Sequence, residues 1–282
     1  MTVQEALRFG AKKLQHHRCP RISPQRESEE LLSWTVRVSR ETLFAHPEKN
    51  LTATQITKYK NVLARRLRHE PIEYLTGSAQ FMGLTFAVTR DTLIPRPATE
   101  FVVEAALAVV KKIHAPLFID VGTGSGCIAA ALASRRPDAY TIATDTSSAA
   151  LRIARRNANS LDLRHIRFEK ADLLPRSLPS AETTIVVANL PYIPSGKMRT
   201  LAKEIIRYEP KSALDGGPDG LDPYRALLRR LPSKSFTLFC EILPNQYHPL
   251  TKSVRVHFPH AKITRVKNYS GVTVALSLSF RA

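Results

Sequence analysis

The sequence is poor in cysteine and has no long apolar run. Its three cysteines, Cys19, Cys127 and Cys240, are widely separated in 282 residues and fall in no CxxC or Cys/His spacing. That excludes a disulfide framework and a zinc ribbon, leaving a reducing compartment and no metal as the expectation. His16 and His17 read as helix-end surface residues, since no further ligand stands at metal spacing, and Cys127 and Cys240 read as small buried fillers. The opening "MTVQEALRFGAKKLQHHR" threads charges through its apolar positions. Neither a signal peptide nor a membrane span is expected, and the cytoplasm follows. Internal repeats and low-complexity segments are also missing.

Acidic residues are the other shortage. There are 24 Asp and Glu against 42 Lys and Arg, a net charge of +18 and a pI of about 10.2, which favours a polyanionic or acidic partner. The excess reads as diffuse, because residues 1–80 carry 14 basic and 8 acidic side chains and the remainder 28 and 16. Weak contact with nucleic acid or the ribosome is the most such a surface implies. A hydrophobic content of 43% supports packed cores rather than disorder.

Helix signals come first along the chain. Thr2 with Glu5 makes a capping box, and Val3, Ala6, Leu7, Ala11 and Leu14 recur at helical spacing. Ser23 before Pro24 starts a second helix, and Thr52 a third with Ile56, Tyr59, Leu63 and Leu67 on one face. Residues 1–75 are therefore expected to form a small helical bundle with Trp34 in its core. Residues 76–98, containing "FMGLTFAVTRDTLIPRP", read as a β-hairpin and connector. From Thr99 to residue 282, the strands "PLFIDVG", "YTIATD", "TTIVVAN" and "FTLFCEI" alternate with helical stretches. That is the βαβ rhythm of an α/β, Rossmann-like, doubly wound sheet. "ITRVKNYSGVTVALSLSF" adds two antiparallel strands around a Tyr-Ser-Gly turn.

The segment "FIDVGTGSGCIAAALA" is a strand, a glycine-rich turn and a helix of small residues. Gly122, Gly124 and Gly126, with Thr123 and Ser125 between them, let a ligand approach the helix start. Asp145 ends the next strand, in place for two ribose hydroxyls, and Asp172 in "KADLL" supplies a third polar strand end able to accept from an adenine amino group. A dinucleotide would need GxGxxG and a pyrophosphate, whereas here Asp120 precedes the loop. S-adenosylmethionine fits better, having no phosphate and carrying an ammonium and a sulfonium that a carboxylate favours.

"VVANLPYIP" delivers Asn189, Leu190, Pro191 and Tyr192 to a strand's carboxyl end. With a methyl on positive sulfur as electrophile, the nucleophile can be a planar nitrogen, either a glutamine amide or an adenine amino group. The Asn189 side-chain oxygen and the Leu190 carbonyl would accept its two N–H hydrogens, Pro191 would stiffen the turn, and Tyr192 would offer a stacking face.

These motifs together resemble the protein-(glutamine-N5) methyltransferases, especially those acting on peptide chain release factors. "PIEYLTGSAQFMGLTFAV", "LIPRPATEFVVE", "DVGTGSGCIA", "ATDTSSAALRIARRNA", "VANLPYI" and "YEPKSALDGGPDGLDPYRAL" follow in that family's order. The resemblance implies a class I S-adenosylmethionine-dependent methyltransferase domain behind a substrate-binding helical domain. It implies cofactor contacts from Gly122 to Gly126, Asp145, Leu173 and Asn189, and a glutamine amide held by Asn189 to Tyr192. Family substrates present that glutamine in the Gly-Gly-Gln loop of class I release factors. Leu190 departs from the family's usual Pro, Ala98 from an acidic residue, Leu243 from Gly, and Val272 stands near a usual basic position. Asn-Leu-Pro-Tyr also resembles the motif of ribosomal-RNA and DNA adenine methyltransferases, but a leading helical domain disfavours the ribosomal-RNA enzymes. The ribosomal-protein glutamine methyltransferases share the catalytic design.

Overall fold

The computed structural model describes residues 1–15, 23–232 and 234–281, so His16, His17 and Cys19 lie outside the described residues. By internal packing the chain divides into two units, Met1–Gly77 with Ala202–Tyr208, and Ser78–Leu201 with Glu209–Ala282.

In the first unit, α1 (Val3–Leu14), α2 (Pro24–Val36), α3 (Arg40–Ala45), α4 (Ala53–Leu67) and α5 (Ile72–Thr76) follow in order. Side-chain caps fix the starts of the first four. Thr2 and Glu5 close one capping box, Thr52 and Gln55 another, and Ser23 and Ser39 each accept a backbone N–H three residues on. Leu14, Leu31, Leu32, Tyr59 and Leu63 are buried together. The expected α4 stripe differs at its end, because helical phase carries the buried face to Arg66 while Leu67 is 38% exposed. Trp34 is only partly buried at the margin of this core, with Nε1 donating to the Thr76 carbonyl at 3.0 Å and Lys58 Nζ 4.0 Å above its ring. Arg66 grips Glu27 with two nitrogens at 2.8 and 3.0 Å, and its third donates to the Glu70 carbonyl and to Glu204 in the Lys203–Tyr208 helix.

Gly10 lies where α1 crosses α2 and α4. A Cβ there would stand 1.9 Å from Tyr59 Oη and 2.5 Å from Ser28 Oγ, and those two hydroxyls bond each other at 2.7 Å. Gly10→Ala should therefore destabilise the protein by about 1–3 kcal/mol through overpacking, despite alanine's better helix propensity. Denaturant unfolding followed by the fluorescence of Trp34, the single tryptophan, measures this. A stabilised variant would show that the crossing has room.

In the second unit, β1 (Ser78–Phe81) and β2 (Leu84–Ala87) form a hairpin. Then come α6 (Pro97–Val109), β3 (Leu117–Val121), α7 (Cys127–Arg135), β4 (Tyr140–Asp145), α8 (Ser148–Ser160), β5 (Arg167–Lys170) and β6 (Thr184–Ala188). After α9, the Lys203–Tyr208 helix of the first unit, follow α10 (Asp222–Arg230), β7 (Phe236–Glu241), α11 (Tyr247–His257), β8 (Lys262–Lys267) and β9 (Thr273–Phe280). The sheet order is β5-β4-β3-β6-β7-β9-β8, parallel through β7 and antiparallel at β9 and β8. β3, β6 and β7 are apolar almost throughout because both sheet faces are covered. One face packs on α6 and α7 around Phe118, Val103 and Ala130, the other on α10 and α11 around Ile119, Leu227 and Leu250. Cys127 and Cys240 are buried fillers in these two layers, and burial pushes the Cys127 thiol up to about 12.

The positive excess is less even than its split at residue 80 suggests. Residues 242–282 hold six Lys or Arg and no Asp or Glu. Exposed Lys262, Arg265 and Lys267 lie on edge strand β8, where charge discourages pairing with another sheet.

Candidate active site

The chain reverses direction across the sheet at β3. Successive strands run outward through β4 and β5, then β6 returns to the other side of β3, and ligands of such sheets sit at that switch point. Register does the rest. Val121 pairs with Thr144 on one side and Ala188 on the other, so Gly122, Asp145 and Asn189, each one residue further on, leave the sheet as neighbours. They line one cavity of about 470 Å³ with Thr123, Gly124, Ser125, Asp172, Leu173, Leu190 and Pro191.

The glycine loop is held by its own backbone. Gly122 and Thr123 N–H donate to the Thr144 carbonyl at 2.9 and 2.8 Å, Gly126 N–H to the Thr123 carbonyl at 2.8 Å, and Gly124 N–H to Asp145 Oδ2 at 2.9 Å. These four amides are therefore engaged within the protein and do not form a phosphate cradle. Gly122 has φ +74°, and a Cβ there would come within 3.0 Å of the Leu190 side chain, so the loop can approach the Asn189 turn only as glycine. Asn157, buried and unforeseen from the sequence, bonds the Ala87 backbone of β2 with both amide atoms while Nδ2 also donates to the Ser125 carbonyl, tying the hairpin to the loop.

Asp120 is the acidic candidate that does not reach the cavity. It is fully buried beneath the loop, where Oδ2 accepts from the Thr123 hydroxyl at 2.5 Å and the Ala129 N–H at 3.0 Å. Its place in β3 points it, with Phe118, toward the α7 layer. Burial raises its carboxyl to about 7 against those two bonds. Its contact with a ligand is thus indirect, through the loop shape it maintains.

Asp145 stands on the cavity wall with Oδ1 accepting from Ser147 N–H at 2.8 Å, so both oxygens are oriented and each keeps a lone pair for a hydroxyl. The Asp172 carboxylate is exposed and paired with Arg230 at 2.8 Å, which draws it away from the adenine-accepting role expected of it. Leu173 beside it has φ +72°, and its carbonyl accepts from the Thr144 hydroxyl at 2.5 Å. A tight polar turn at the wall results.

In the Asn-Leu-Pro-Tyr turn, Asn189 Nδ2 donates to Thr99 Oγ1 at 3.1 Å, and the Leu190 N–H finds the Tyr224 hydroxyl at 3.3 Å. A proline at 190 would have no N–H to place. Leucine brings one, and buried Tyr224 accepts it while itself donating to the Glu241 carbonyl. Tyr192 is turned away from the cavity wall, its hydroxyl donating to Glu241 Oε1 at 3.0 Å and its carbonyl accepting from Gln246 Nε2 at 2.7 Å. The Tyr192 hydroxyl and carbonyl thus brace the back of the turn. Burial, then the Glu241 charge, raises the Tyr192 phenol well above its ordinary value and keeps it a donor.

The glycines of "DGGPDG" explain why that segment is so particular. A Cβ on Gly216 would lie 2.5 Å from the Pro191 carbonyl oxygen, and one on Gly220 2.2 Å from that of Tyr192. This loop is the bed of the turn rather than a loose rim. Another unforeseen pair is Arg96 with Glu209, bonded at 2.5 Å, the glutamate buried and also accepting from Ile94 N–H. The two residues are 113 apart in sequence, so only "IPRPATE" and "YEPKS" as motifs hinted at them. Among the described residues no His, Cys, Asp and Glu cluster could hold a metal.

Residues 5–77 match the PrmC N-terminal domain model and residues 118–208 a methyltransferase domain model. Release factor glutamine methyltransferase from Geobacter sulfurreducens is 39% identical over 73% of this chain and 71% of its own. That from Moorella thermoacetica is 41% identical over 81% of this chain and 80% of its own. Among solved structures, the hMettl16 catalytic domain in complex with MAT2A 3'UTR hairpin 6 superposes with a TM-score of 0.54 at 16% identity, covering 71% of this chain and 77% of that one. That likeness shows the fold alone.

Proposed function

The chain belongs to the release factor glutamine methyltransferase family, and from that premise we propose the reaction. It transfers a methyl group from S-adenosylmethionine to the side-chain amide nitrogen of the glutamine in the Gly-Gly-Gln loop of class I release factors. The observation that carries this reading is the row of Gly122, Asp145 and Asn189 on one cavity, with four amides of the glycine loop already engaged within the protein.

S-adenosylmethionine supplies a methyl group on positively charged sulfur. Gly122 to Gly126 would lie along it, Asp145 would accept from its ribose hydroxyls, and Leu173 and Asn189 would complete the wall. The substrate nitrogen is a poor nucleophile because its lone pair is delocalised. Asn189 Oδ1 and the Leu190 carbonyl accept its two N–H hydrogens and so aim that lone pair, which is catalysis by positioning and electrostatic alignment. Tyr192, tied to Glu241, keeps the turn from yielding. The proton displaced from nitrogen passes to solvent, so no side chain is required as a base. The helical unit, Met1–Gly77 with Ala202–Tyr208, acts as the domain that grips the factor, and the unit of Ser78–Leu201 with Glu209–Ala282, hairpin included, as the chemical domain. Free release factor in the cytoplasm is the assigned setting. No described helix is long and apolar enough to cross a membrane.

The test is transfer of labelled methyl to release factor, ribosomal protein, RNA and DNA offered side by side. Label on release factor is expected. Label confined to nucleic acid would overturn the reading, and label confined to ribosomal protein would move the substrate within the same chemistry.

A further inference from the structure

Leucine at position 190 deprives the turn of a restraint. A proline ring would fix φ at about −65° and carry no N–H, whereas leucine leaves that torsion to its surroundings and brings a buried donor that must be bonded. The Leu190 carbonyl is one half of the amide clamp, so a residue 190 free to rotate would carry the acceptor with it. The group that holds it lies 34 residues further along the chain.

Tyr224, on the first turn of α10, is completely buried. Its hydroxyl accepts the Leu190 N–H at 3.3 Å and donates to the Glu241 carbonyl, with the Ala188 carbonyl a longer acceptor at 3.3 Å. The pairing of β6 with β7 ends at Ala188 and Cys240. The phenol therefore stands where the two strands part and links their ends. A tyrosine hydroxyl has one hydrogen to give. With that hydrogen on a carbonyl, its oxygen is left to accept from Leu190, and burial, which raises the phenol well above its ordinary value, keeps the hydrogen in place. Pro191 confines Leu190 to extended backbone in ψ, as proline does to any residue before it. The φ torsion of Leu190 is left to the bond with Tyr224 and to the packing of its buried side chain.

We propose that Tyr224 is a positioning residue whose hydroxyl does for Leu190 what a ring would do for proline: it pins the N–H and so holds the Leu190 carbonyl toward the substrate nitrogen. The inference rests on the reading of that carbonyl as an acceptor for the glutamine amide. It makes residues 190 and 224 a coupled pair. The hydroxyl matters to turnover because residue 190 has an N–H, and would matter far less with proline there. Tyr224 itself touches no reacting atom.

The experiment is a double-mutant cycle of Tyr224→Phe and Leu190→Pro, read as kcat at saturating release factor and cofactor. In the wild-type background Tyr224→Phe should lower kcat about 10- to 100-fold, with affinity for S-adenosylmethionine held within about twofold. Whatever Leu190→Pro does by itself, adding Tyr224→Phe to it should lower kcat by less than about threefold. A purely structural role, as a link between β6 and β7, would cost the same in both backgrounds. The second readout needs no turnover. In protein carrying isotope-labelled leucine, the Leu190 amide signal, identified by its loss in Leu190→Met, should exchange with solvent about tenfold faster or more in Tyr224→Phe. A kcat unchanged by Tyr224→Phe, equal losses in the two backgrounds, or an unchanged Leu190 exchange rate would overturn the proposal. If Leu190→Pro does not fold, the kcat of Tyr224→Phe and the exchange rate decide. If the wild-type protein does not methylate release factor at all, the functional reading fails, and the exchange comparison still decides whether Tyr224 pins the turn.

Discussion

Asn189→Ala should lower kcat for glutamine methylation by about 10²- to 10³-fold, the usual cost of removing one preorganised polar contact aimed at the reacting group. The loss should fall on turnover. Asn189 is one of many residues lining the cavity, beside the glycine loop and Asp145 as well as Leu190 and Pro191, so affinity for S-adenosylmethionine should weaken by no more than about tenfold. Most of the binding surface, from the glycine loop to Asp145, is untouched. Single-turnover kinetics with saturating cofactor, together with calorimetric titration of the cofactor, separate the two effects. Unchanged methylation would show that the amide clamp is misassigned. Cofactor affinity lost in proportion to rate would show that Asn189 is chiefly a cofactor ligand.

The second large effect concerns stability. Arg66→Met should destabilise the helical unit by about 3–5 kcal/mol, because it strips the partner from Glu27, a carboxylate 2% exposed and bonded to two of the three guanidinium nitrogens. Trp34 reports on this unit directly, so urea unfolding followed by its fluorescence should show the midpoint fall. Adding Glu27→Met to Arg66→Met should recover much of the loss, since the penalty comes from the stranded charge rather than from an intrinsically strong pair. A cost below about 1 kcal/mol for Arg66→Met would mean that water or another cation reaches Glu27 in the variant.

Much of the candidate site is legible in the sequence for a specific physical reason. In a parallel sheet the carboxyl ends of successive strands meet on one edge, so "DVGTGSG", "ATD" and "VANLPY" can be placed together without knowing any contact. What that logic omits is strand parity. Asp120 precedes the loop by two residues and looks like a ligand, yet its position along β3 turns it into the α7 layer, where it braces the loop. The brace on Tyr192 is also out of local reach, since its hydroxyl finds Glu241 49 residues away. Arg96 with Glu209 and Thr99 with Asn189 are likewise long-range meetings that no local pattern encodes. The replacement of proline by Leu190 can be read from the sequence as a loss of stiffness, but not the acceptor that Tyr224 supplies to the N–H it introduces.

The helical bundle is legible at its starts, where Thr2, Ser23 and Thr52 announce themselves as caps. Its interior is less so. Gly10 lies in a helix where alanine would be preferred on propensity, and its reason is the Tyr59 hydroxyl pressed against it. Arg66 occupies a buried position that an apolar pattern would give to Leu67. The grouping of Ala202–Tyr208 with this unit is carried by groups such as Glu204 on Arg66, 138 residues apart, and has no local signature.

The most direct test of the central claim is mass spectrometry of purified release factor after incubation with this protein and S-adenosylmethionine, beside the same factor with its Gly-Gly-Gln glutamine replaced. One added methyl, mapped by peptide fragmentation to that glutamine and absent from the replaced factor, is the predicted result. No added methyl on a protein shown to bind the cofactor, or a methyl that persists when the glutamine is gone, would contradict the account.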